Sequence, residues 1–300
     1  MTTDPEESRT IWAHRLDRPP TRQWLTLADG YRTPVFVHVP PQTPTGLPGV
    51  YVHGIQSHPG WFGLSAAHLA GAGHMVFQVT RRGSGENVAA RGDAPSAEML
   101  LDDVEAACRF ALGQSKSRRL CLLGVSWGSK LLAAYCLDTR RAAEVASLTL
   151  VAPGLVPRVD LGPSGKLAVA AALLCCRRGL FDIPLSDVEL FTDHPPMRQY
   201  LRDDPLRLHW ATARFLWASR QLDRMLVGAA GTGRTLSVPT TVLLAGGDRI
   251  VDNGRTINLL RRLGGAGLRE ATLESQHTIE FEADPSVFLS RIQESVNASA

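Results

Sequence analysis

Lysine is nearly absent from this 300-residue chain, since only three of its 32 lysine and arginine residues are lysines. The formal net charge at pH 7 is +3, and the arginines are scattered, with short pairs such as Arg81-Arg82 and Arg261-Arg262. Binding to nucleic acid through its phosphates requires a basic patch. The pattern therefore predicts no nucleic-acid partner, and we attribute the arginine bias to genomic composition rather than to a binding surface.

Cysteine is also scarce, and its five occurrences form no recognisable framework. Their number is odd, all lie in apolar stretches, and none has the spacing of a zinc site. This usage indicates small buried side chains in a reducing compartment, and it predicts neither disulfides nor a metal site. The five residues are Cys108, Cys121, Cys136, Cys175 and Cys176.

Long apolar runs are missing as well. The longest candidate, residues 167–176, falls well short of the roughly 18 residues that a membrane span requires. The first ten residues, MTTDPEESRT, are polar and acidic, so no signal peptide is expected there. These features predict a cytoplasmic protein without a transmembrane segment, and no motif indicates a cofactor.

What is present is typical of one sizeable globular fold. Hydrophobic residues make up 44% of the chain and charged residues 20%, which allows a large buried core. Residues 22–39 contain two alternating runs around Asp29-Gly30, which predicts a β-hairpin. From residue 49 onward, short apolar strands alternate with amphipathic helices, including a helix over 96–112. This order predicts an α/β fold with a mostly parallel sheet covered by helices on both faces.

The alternation breaks between residues 154 and 237. Residues 166–176 are apolar on every side, residues 204–226 have the period of one long amphipathic helix, and no strand pattern returns before Val238. We expect a helical cap inserted before the last two strands of the sheet. The predicted units are core residues 1–153, the cap at 154–237 and core residues 238–300.

A serine stands between two glycines at a predicted strand-to-helix junction. The pentapeptide from Gly124 to Gly128 reads Gly-Val-Ser-Trp-Gly, with an apolar strand before it and a helical run after it. Residues at these two ends must be small, because a side chain would clash across the tight turn. The pattern matches a nucleophile elbow and makes Ser126 the candidate nucleophile.

A serine hydroxyl needs a base that takes its proton and a carboxylate that orients this base. His277 lies in a polar loop after the strand at 268–274, on the same predicted sheet edge as Ser126. Asp248 closes the preceding strand and is the first candidate for the acid, with Asp252 as the alternative. The chain order serine, aspartate, histidine is the one that this elbow motif accompanies.

The negative charge of an acyl-transfer intermediate needs backbone N–H donors. One should come from Trp127, the residue after the nucleophile, and one from Ile55, in the turn that follows the strand at 49–53. His53, at the start of that turn, is interpreted as an anchor of the loop rather than as a catalytic group.

Four segments together resemble the α/β-hydrolases, and within them the monoacylglycerol lipase-like and lysophospholipase-like group, which is classed with serine aminopeptidases. HGIQSHPGWF (53–62) is similar to that group's His-Gly-x-x-x-His loop, with His58 as the second histidine. RRGSGEN (81–87) resembles its Arg-Gly-x-Gly turn. LLAGGDRIVDN (243–253) is similar to the acid segment, and DDPLRLHWATARFL (203–216) resembles a cap segment.

The resemblance covers most of the chain and implies the α/β-hydrolase fold, with Asp248 rather than Asp252 as the acid. Three positions depart from the group's pattern. Ser57 and Thr80 stand where acidic residues are usual. Trp127 is less usual in the elbow and is similar to the tryptophan in the Gly-Ser-Trp-Gly-Ser stretch of prolyl iminopeptidases.

The leading functional prediction is a serine hydrolase of carboxylic esters acting on a small molecule with an apolar acyl chain. Leu173, Phe215 and Leu216 of the cap are the candidate substrate-binding residues, although each could equally belong to the cap's own core. The apolar cap would also allow peripheral contact with a membrane.

Two other interpretations remain open. An aminopeptidase on the same triad would use cap carboxylates to bind a free α-amino group, although a charge cluster is more often a solvated face. The carboxylates that lie close together there are Asp182, Asp187, Glu189 and Asp193. A binding protein that lost catalysis is the third interpretation, and the presence of a full candidate triad argues against it.

Overall fold

The computed structural model describes residues 12–264 and 267–297; the polar N-terminal stretch considered above for a signal peptide lies outside them. The strands are β1 (Thr21–Thr26), β2 (Arg32–His38), β3 (Gly49–Val52), β4 (Val76–Val79), β5 (Leu120–Val125), β6 (Val145–Val151), β7 (Leu180–Asp182), β8 (Trp210–Thr212), β9 (Thr240–Ala245) and β10 (Leu268–Leu273). The helices are α1 (Gly63–Gly71), α2 (Ala97–Ser115), α3 (Trp127–Tyr135), α4 (Pro163–Cys175), α5 (Pro195–Asp203), α6 (Ala213–Gly231), α7 (Asn253–Gly264) and α8 (Ser286–Asn297).

Eight strands form one sheet in the order β1-β2-β4-β3-β5-β6-β9-β10. Strand β2 runs antiparallel to its neighbours β1 and β4, and the other neighbouring pairs are parallel. The first hairpin turns at Asp29-Gly30 as predicted, with Gly30 at φ 81°. The predicted α/β fold class is confirmed.

The centre of the sheet is covered on both faces. Every residue of β5 and of β6 is buried, as continuous apolar runs in parallel strands predict. Helix α2 begins where the Ser96 hydroxyl accepts a hydrogen bond from the Met99 N–H at 3.1 Å, and its buried residues recur every three or four positions. Helices α1 and α8 pack against each other, as do α2 and α3.

The parallel register brings several loops to one edge of the sheet. Val52 lies opposite Gly124, and Ala245 lies opposite Leu273, so the turns after β3, β5, β9 and β10 leave the sheet on the same side. Loops at the carboxyl ends of parallel strands are the usual place for a binding site in such sheets.

The segment between β6 and β9 differs from the prediction in three respects. It contains an antiparallel pair, β7 with β8, where no strand was expected, and an additional helix, α5. The helix expected over 204–226 is instead α6, which begins at Ala213, because residues 210–212 pair with β7 and the Thr212 hydroxyl caps the helix by accepting from the Phe215 N–H. The division into core and cap at 154 and 237 stays a prediction.

Helix α4 has no buried residue, although its sequence is apolar all round. Leu167 is 73% exposed and Leu174 91% exposed. The prediction that all cysteines are buried is wrong for Cys175 and Cys176, which lie exposed at the end of this helix, whereas the other three are buried.

None of the helices in residues 12–264 and 267–297 combines the length and the apolar character that a membrane span requires.

Candidate active site

Ser126 occupies a strained turn between β5 and α3. Its backbone has φ 52° and ψ −115°, a conformation that costs energy for any residue with a side chain. The flanking glycines make the turn sterically feasible: a Cβ on Gly124 would lie 2.8 Å from the Ser129 backbone, and one on Gly128 would lie 2.3 Å from the Val52 carbonyl oxygen. The tight geometry projects the serine side chain from the sheet edge.

His277 lies beside this serine, with the imidazole almost fully buried. Its Nε2 is 2.9 Å from Ser126 Oγ, and its Nδ1 is 2.7 Å from Asp248 Oδ2. Because Nδ1–H donates a hydrogen bond to the carboxylate and keeps its proton, Nε2 is left free to accept a proton from the serine hydroxyl. The structure thus brings together the three residues that the sequence singled out.

Asp248 is held by more than the histidine. Its second oxygen, Oδ1, accepts hydrogen bonds from the N–H groups of Ile250 and Val251, both at 2.8 Å. Burial alone would raise the pKa of this carboxyl, but the neighbouring imidazole and these N–H groups bring the pKa below its usual range. The carboxyl is therefore ionised at neutral pH.

The alternative acid, Asp252, has a different place. Its carboxylate accepts from the Arg255 N–H at 3.0 Å, which makes it the cap of helix α7. Only Asp248 of the two contacts His277.

The turn after β3 abuts the nucleophile. A Cβ on Gly54 would lie 3.3 Å from Ser126 Cβ, so Ile55 follows directly after the point of closest approach. The N–H of Ile55 and that of Trp127, the first residue of α3, donate to no acceptor within the residues that the structure describes. His53 anchors the turn, since its Nδ1–H donates to the Gly54 carbonyl oxygen at 2.9 Å and its Nε2 accepts from the Arg81 N–H at 3.0 Å.

Helix α6 packs against the helix that follows the nucleophile. Phe215 is fully buried, with its ring centroid 5.3 Å from that of Trp127. The Trp127 indole N–H donates to Ser219 Oγ at 2.8 Å. Leu216 and, on α4, Leu173 are half-buried. Contact of these cap residues with a substrate stays a prediction.

A second set of contacts joins residues 204–208 to the turn after β3. His58 Nε2 lies 3.1 Å from the Asp204 carboxylate, which also accepts from the Trp61 indole at 2.7 Å. Arg207 donates to the Gln56 side-chain oxygen at 3.1 and 3.2 Å. The sequence analysis assigned His58 and residues 203–216 to separate motifs. No feature of the sequence indicates that these two segments are in contact.

Glu280 was also missed by the sequence analysis. It lies three residues after His277 and is fully buried, and it accepts from the backbone N–H groups of Leu64 and Ser65 at 2.8 and 3.1 Å. Burial raises the pKa of this carboxyl to about 7. These hydrogen bonds join the loop that carries His277 to the start of helix α1.

Within residues 12–264 and 267–297, no group of three or more histidine, cysteine, aspartate or glutamate side chains is placed to hold a metal ion. The candidate triad and the two N–H groups have an arrangement of the kind that acyl transfer through a serine uses.

The chain is similar in sequence to one protein family and in fold to many solved structures. The model of the family described as Serine aminopeptidase, S33, matches residues 50–284. None of the curated proteins compared with this sequence matches it. Similar solved structures include a soluble variant of monoglyceride lipase from Saccharomyces cerevisiae in complex with a substrate analog, with a TM-score of 0.85, 17% identity, and coverage of 96% of this chain and 99% of that chain.

Two further structures have the same fold. The monoacylglycerol lipase of Paleococcus ferrophilus has a TM-score of 0.77 and 19% identity, and the match covers 89% of this chain and 99% of that chain. A thermostable carboxyl esterase from Bacillus coagulans in complex with glycerol has a TM-score of 0.75 and 15% identity, covering 94% of this chain and 99% of that chain. The family model spans most of the sequence and these structures share its α/β-hydrolase fold, so the chain belongs to the family described as Serine aminopeptidase, S33.

Proposed function

We propose that the protein is a serine hydrolase of carboxylic esters that works through an acyl-enzyme on Ser126. The observation that carries this proposal is the hydrogen-bonded line from Ser126 Oγ to His277 Nε2 at 2.9 Å and from His277 Nδ1 to Asp248 Oδ2 at 2.7 Å. Distances of this size are within reach for proton transfer between nucleophile and base.

In the proposed reaction, Ser126 Oγ forms a bond to the acyl carbon while its proton moves to His277 Nε2. The carbonyl oxygen becomes an anion and accepts hydrogen bonds from the N–H groups of Ile55 and Trp127. As this intermediate collapses, the bond to the alcohol oxygen breaks, and the imidazolium gives that oxygen its proton. Water then attacks the acyl-enzyme, with His277 again taking the proton, and the acid leaves as the serine regains its hydrogen.

The proposed substrate carries an apolar acyl chain. Leu173, Phe215 and Leu216 are apolar and belong to α4 and α6, the helices that lie between β6 and β9 in the chain. Two similar structures bear the names monoglyceride lipase and monoacylglycerol lipase, and we propose the substrate class in these names, monoacyl esters of glycerol, for the present chain.

The second candidate is an aminopeptidase, which the family's description favours. An ammonium group would need carboxylates that are not already neutralised. Asp193 and Glu189 are half-exposed and ion-paired with Arg198, and Asp193 also with Arg249. Asp187 caps a short turn by accepting from the Glu189 N–H at 2.9 Å. These arrangements give three of the four cap carboxylates structural partners, and they support the ester reaction over the peptidase.

A substrate panel separates the two candidates. Chromogenic esters with acyl chains of about two to about twelve carbons would be assayed beside aminoacyl arylamides, with Ser126→Ala as the blank. We expect kcat/KM to rise with acyl length by up to a factor of about four per buried methylene, until the pocket is filled. A charged residue at Leu173 or Leu216 should flatten this rise more than it slows acetate esters. A flat profile combined with strong arylamide cleavage would favour the peptidase.

We also propose peripheral membrane contact through α4. This helix exposes Leu167 and Leu174, and the exposed Arg177 and Arg178 follow it, so apolar and basic groups are adjacent. Such a combination suits the surface of an anionic bilayer. Leu174→Glu should reduce cosedimentation with vesicles of anionic lipid, whereas Val287→Glu, at a 59% exposed apolar residue of α8, should leave it unchanged. Equal binding by both variants would contradict the proposal.

A cytoplasmic location remains a prediction; it rests on the five free thiols.

A further inference from the structure

Two neighbouring arginines after β4 are both buried but have opposite surroundings. Arg82 donates to the carboxylates of Asp29 and Asp103 at 2.8 Å each, so its charge is neutralised. Arg81 is 5% exposed and has no carboxylate partner among the described residues. A buried cation without a counterion is costly, and such groups concentrate at functional sites.

Arg81 contacts both candidate oxyanion residues. Its guanidinium donates to the Ile55 carbonyl oxygen at 2.9 Å and lies 4.9 Å from the centre of the Trp127 ring. The ring of Phe215 lies 4.8 Å from the guanidinium as well, so the cation is in contact with two aromatic rings. Cation–π contacts of this kind fix the planes of all three groups relative to one another.

The backbone of Arg81 also acts on the Ile55 donor. Its N–H donates to His53 Nε2 at 3.0 Å, which leaves the proton on His53 Nδ1, and this Nδ1–H donates to the Gly54 carbonyl oxygen at 2.9 Å. That carbonyl belongs to the peptide group whose N–H is the Ile55 donor. Hydrogen bonding to a carbonyl polarises its peptide and makes the N–H a stronger donor.

The guanidinium keeps its charge under working conditions. Burial lowers the pKa of Arg81 to about 9, which is still above neutral pH. Its Nε has no hydrogen-bond partner among the described residues. Asp103 raises the pKa of Arg81 from a distance but forms no ion pair with it. The positive charge therefore lies beside the Ile55 carbonyl oxygen and the Trp127 ring, within the two residues whose N–H groups would face an oxyanion.

We propose that Arg81 is a positioning residue for the oxyanion hole: it fixes the Ile55 and Trp127 donors at their working separation and favours the tetrahedral intermediate through its charge. This inference rests on the proposed function, because an oxyanion forms only if Ser126 carries out acyl transfer. Arg82, one residue away, forms ion pairs with Asp29 and Asp103 and stabilises the fold rather than the oxyanion hole.

The test compares Arg81→Met and Arg81→Lys with wild type. Arg32→Met is the matched control, because Arg32 also lies over an aromatic ring, at 5.1 Å from the centre of the Trp24 ring, but is the exposed first residue of β2. Measured quantities are kcat, KM, the inhibition constant of an alkyl boronic acid, which forms a tetrahedral adduct on the serine, and the melting temperature.

For Arg81→Met we expect kcat to fall on the order of 10²-fold, as loss of one oxyanion donor does, with KM changed less than about threefold. The inhibition constant of the boronic acid should rise in parallel with the loss of kcat. Arg81→Lys keeps the charge but not the planar contacts and should lose about tenfold in kcat. Arg32→Met should match wild type in all of these values.

Wild-type kcat and boronate affinity in Arg81→Met would overturn the inference, as would a loss confined to KM. If Arg81→Met does not fold, Arg81→Lys decides by the same two measurements. Failure of the proposed function is distinguishable, because wild type itself would then hydrolyse no ester.

Discussion

The carboxylate of Asp204 lies 3.1 Å from the imidazole Nε2 of His58, and both side chains are almost fully buried. The pair joins the start of the 204–212 segment to the turn that carries the candidate oxyanion donor Ile55. Burial alone would raise the pKa of Asp204, but His58, the Trp61 indole and the Leu206 N–H together hold the pKa below its usual range. The contact therefore couples the segment above the sheet edge to the loop beside Ser126.

Asp204→Asn should destabilise the protein by about 1–3 kcal/mol, because it leaves buried hydrogen-bonding groups poorly matched. Asp203→Asn is the matched control: Asp203 is exposed and accepts a hydrogen bond from the Gln199 side chain, four residues earlier on the same helix. Its effect should stay within about 0.5 kcal/mol. Urea denaturation measures both. Equal free energies of unfolding in the two variants would show that the Asp204 contact is energetically unimportant.

Asp248→Asn should lower kcat far more than Asp252→Asn. An asparagine at 248 would present an amide to His277 Nδ1 and favour the wrong tautomer, and in another triad enzyme the same change costs about 10⁴-fold. Asparagine at 252 can still cap helix α7. Steady-state ester hydrolysis by both variants measures the difference, and greater damage from the change at 252 would mean that the acid is misassigned.

Much of this architecture could be predicted from local sequence pattern. The strand, elbow and helix around Ser126 follow from apolar periodicity and from two glycines whose places a side chain could not take. Asp248 and His277 could be placed at one sheet edge because each follows a strand of a parallel sheet.

The remainder depends on partners that are distant in the chain. Glu280 meets Ser65 across 215 positions, and no local pattern indicates such a contact. The start of α6 was misjudged because residues 204–212 have helical periodicity, whereas residues 210–212 pair with β7 and the helix begins only after them. The pair Arg81-Arg82 was counted among the scattered arginines and matched to a turn, and no sequence pattern indicated that both side chains are buried.

Glu280 should make stability depend on pH in a defined direction. Burial raises the pKa of this carboxyl from 4.5 to about 7, so the folded state binds the proton more tightly than the unfolded chain. The stability that proton binding to Glu280 adds to the folded state is fully present below about pH 4.5 and is lost as the pH rises through 7. Other titratable groups nearby are Tyr51, whose hydroxyl contacts Ser65, and His14, which contacts the Glu280 backbone.

Glu280→Gln keeps the shape of the side chain but does not titrate. Relative to wild type it should gain up to about 2 kcal/mol of unfolding free energy between about pH 5 and about pH 8. Glu294→Gln on the exposed face of α8 is the control and should show no such trend. Urea denaturation at the two pH values measures the difference in unfolding free energy between each variant and wild type. A difference that does not change with pH for Glu280→Gln would contradict the raised pKa of Glu280.

The most direct test of the serine mechanism is covalent labelling with a fluorophosphonate, followed by peptide mass mapping. The reagent needs a serine activated by a base, so wild type should carry a single adduct, on Ser126. Ser126→Ala should remain folded, with an unchanged melting temperature, yet take up no label and hydrolyse no ester. Ser117→Ala, at a half-buried serine, should label as wild type does. An adduct on another residue, or ester hydrolysis that persists in Ser126→Ala, would contradict the account.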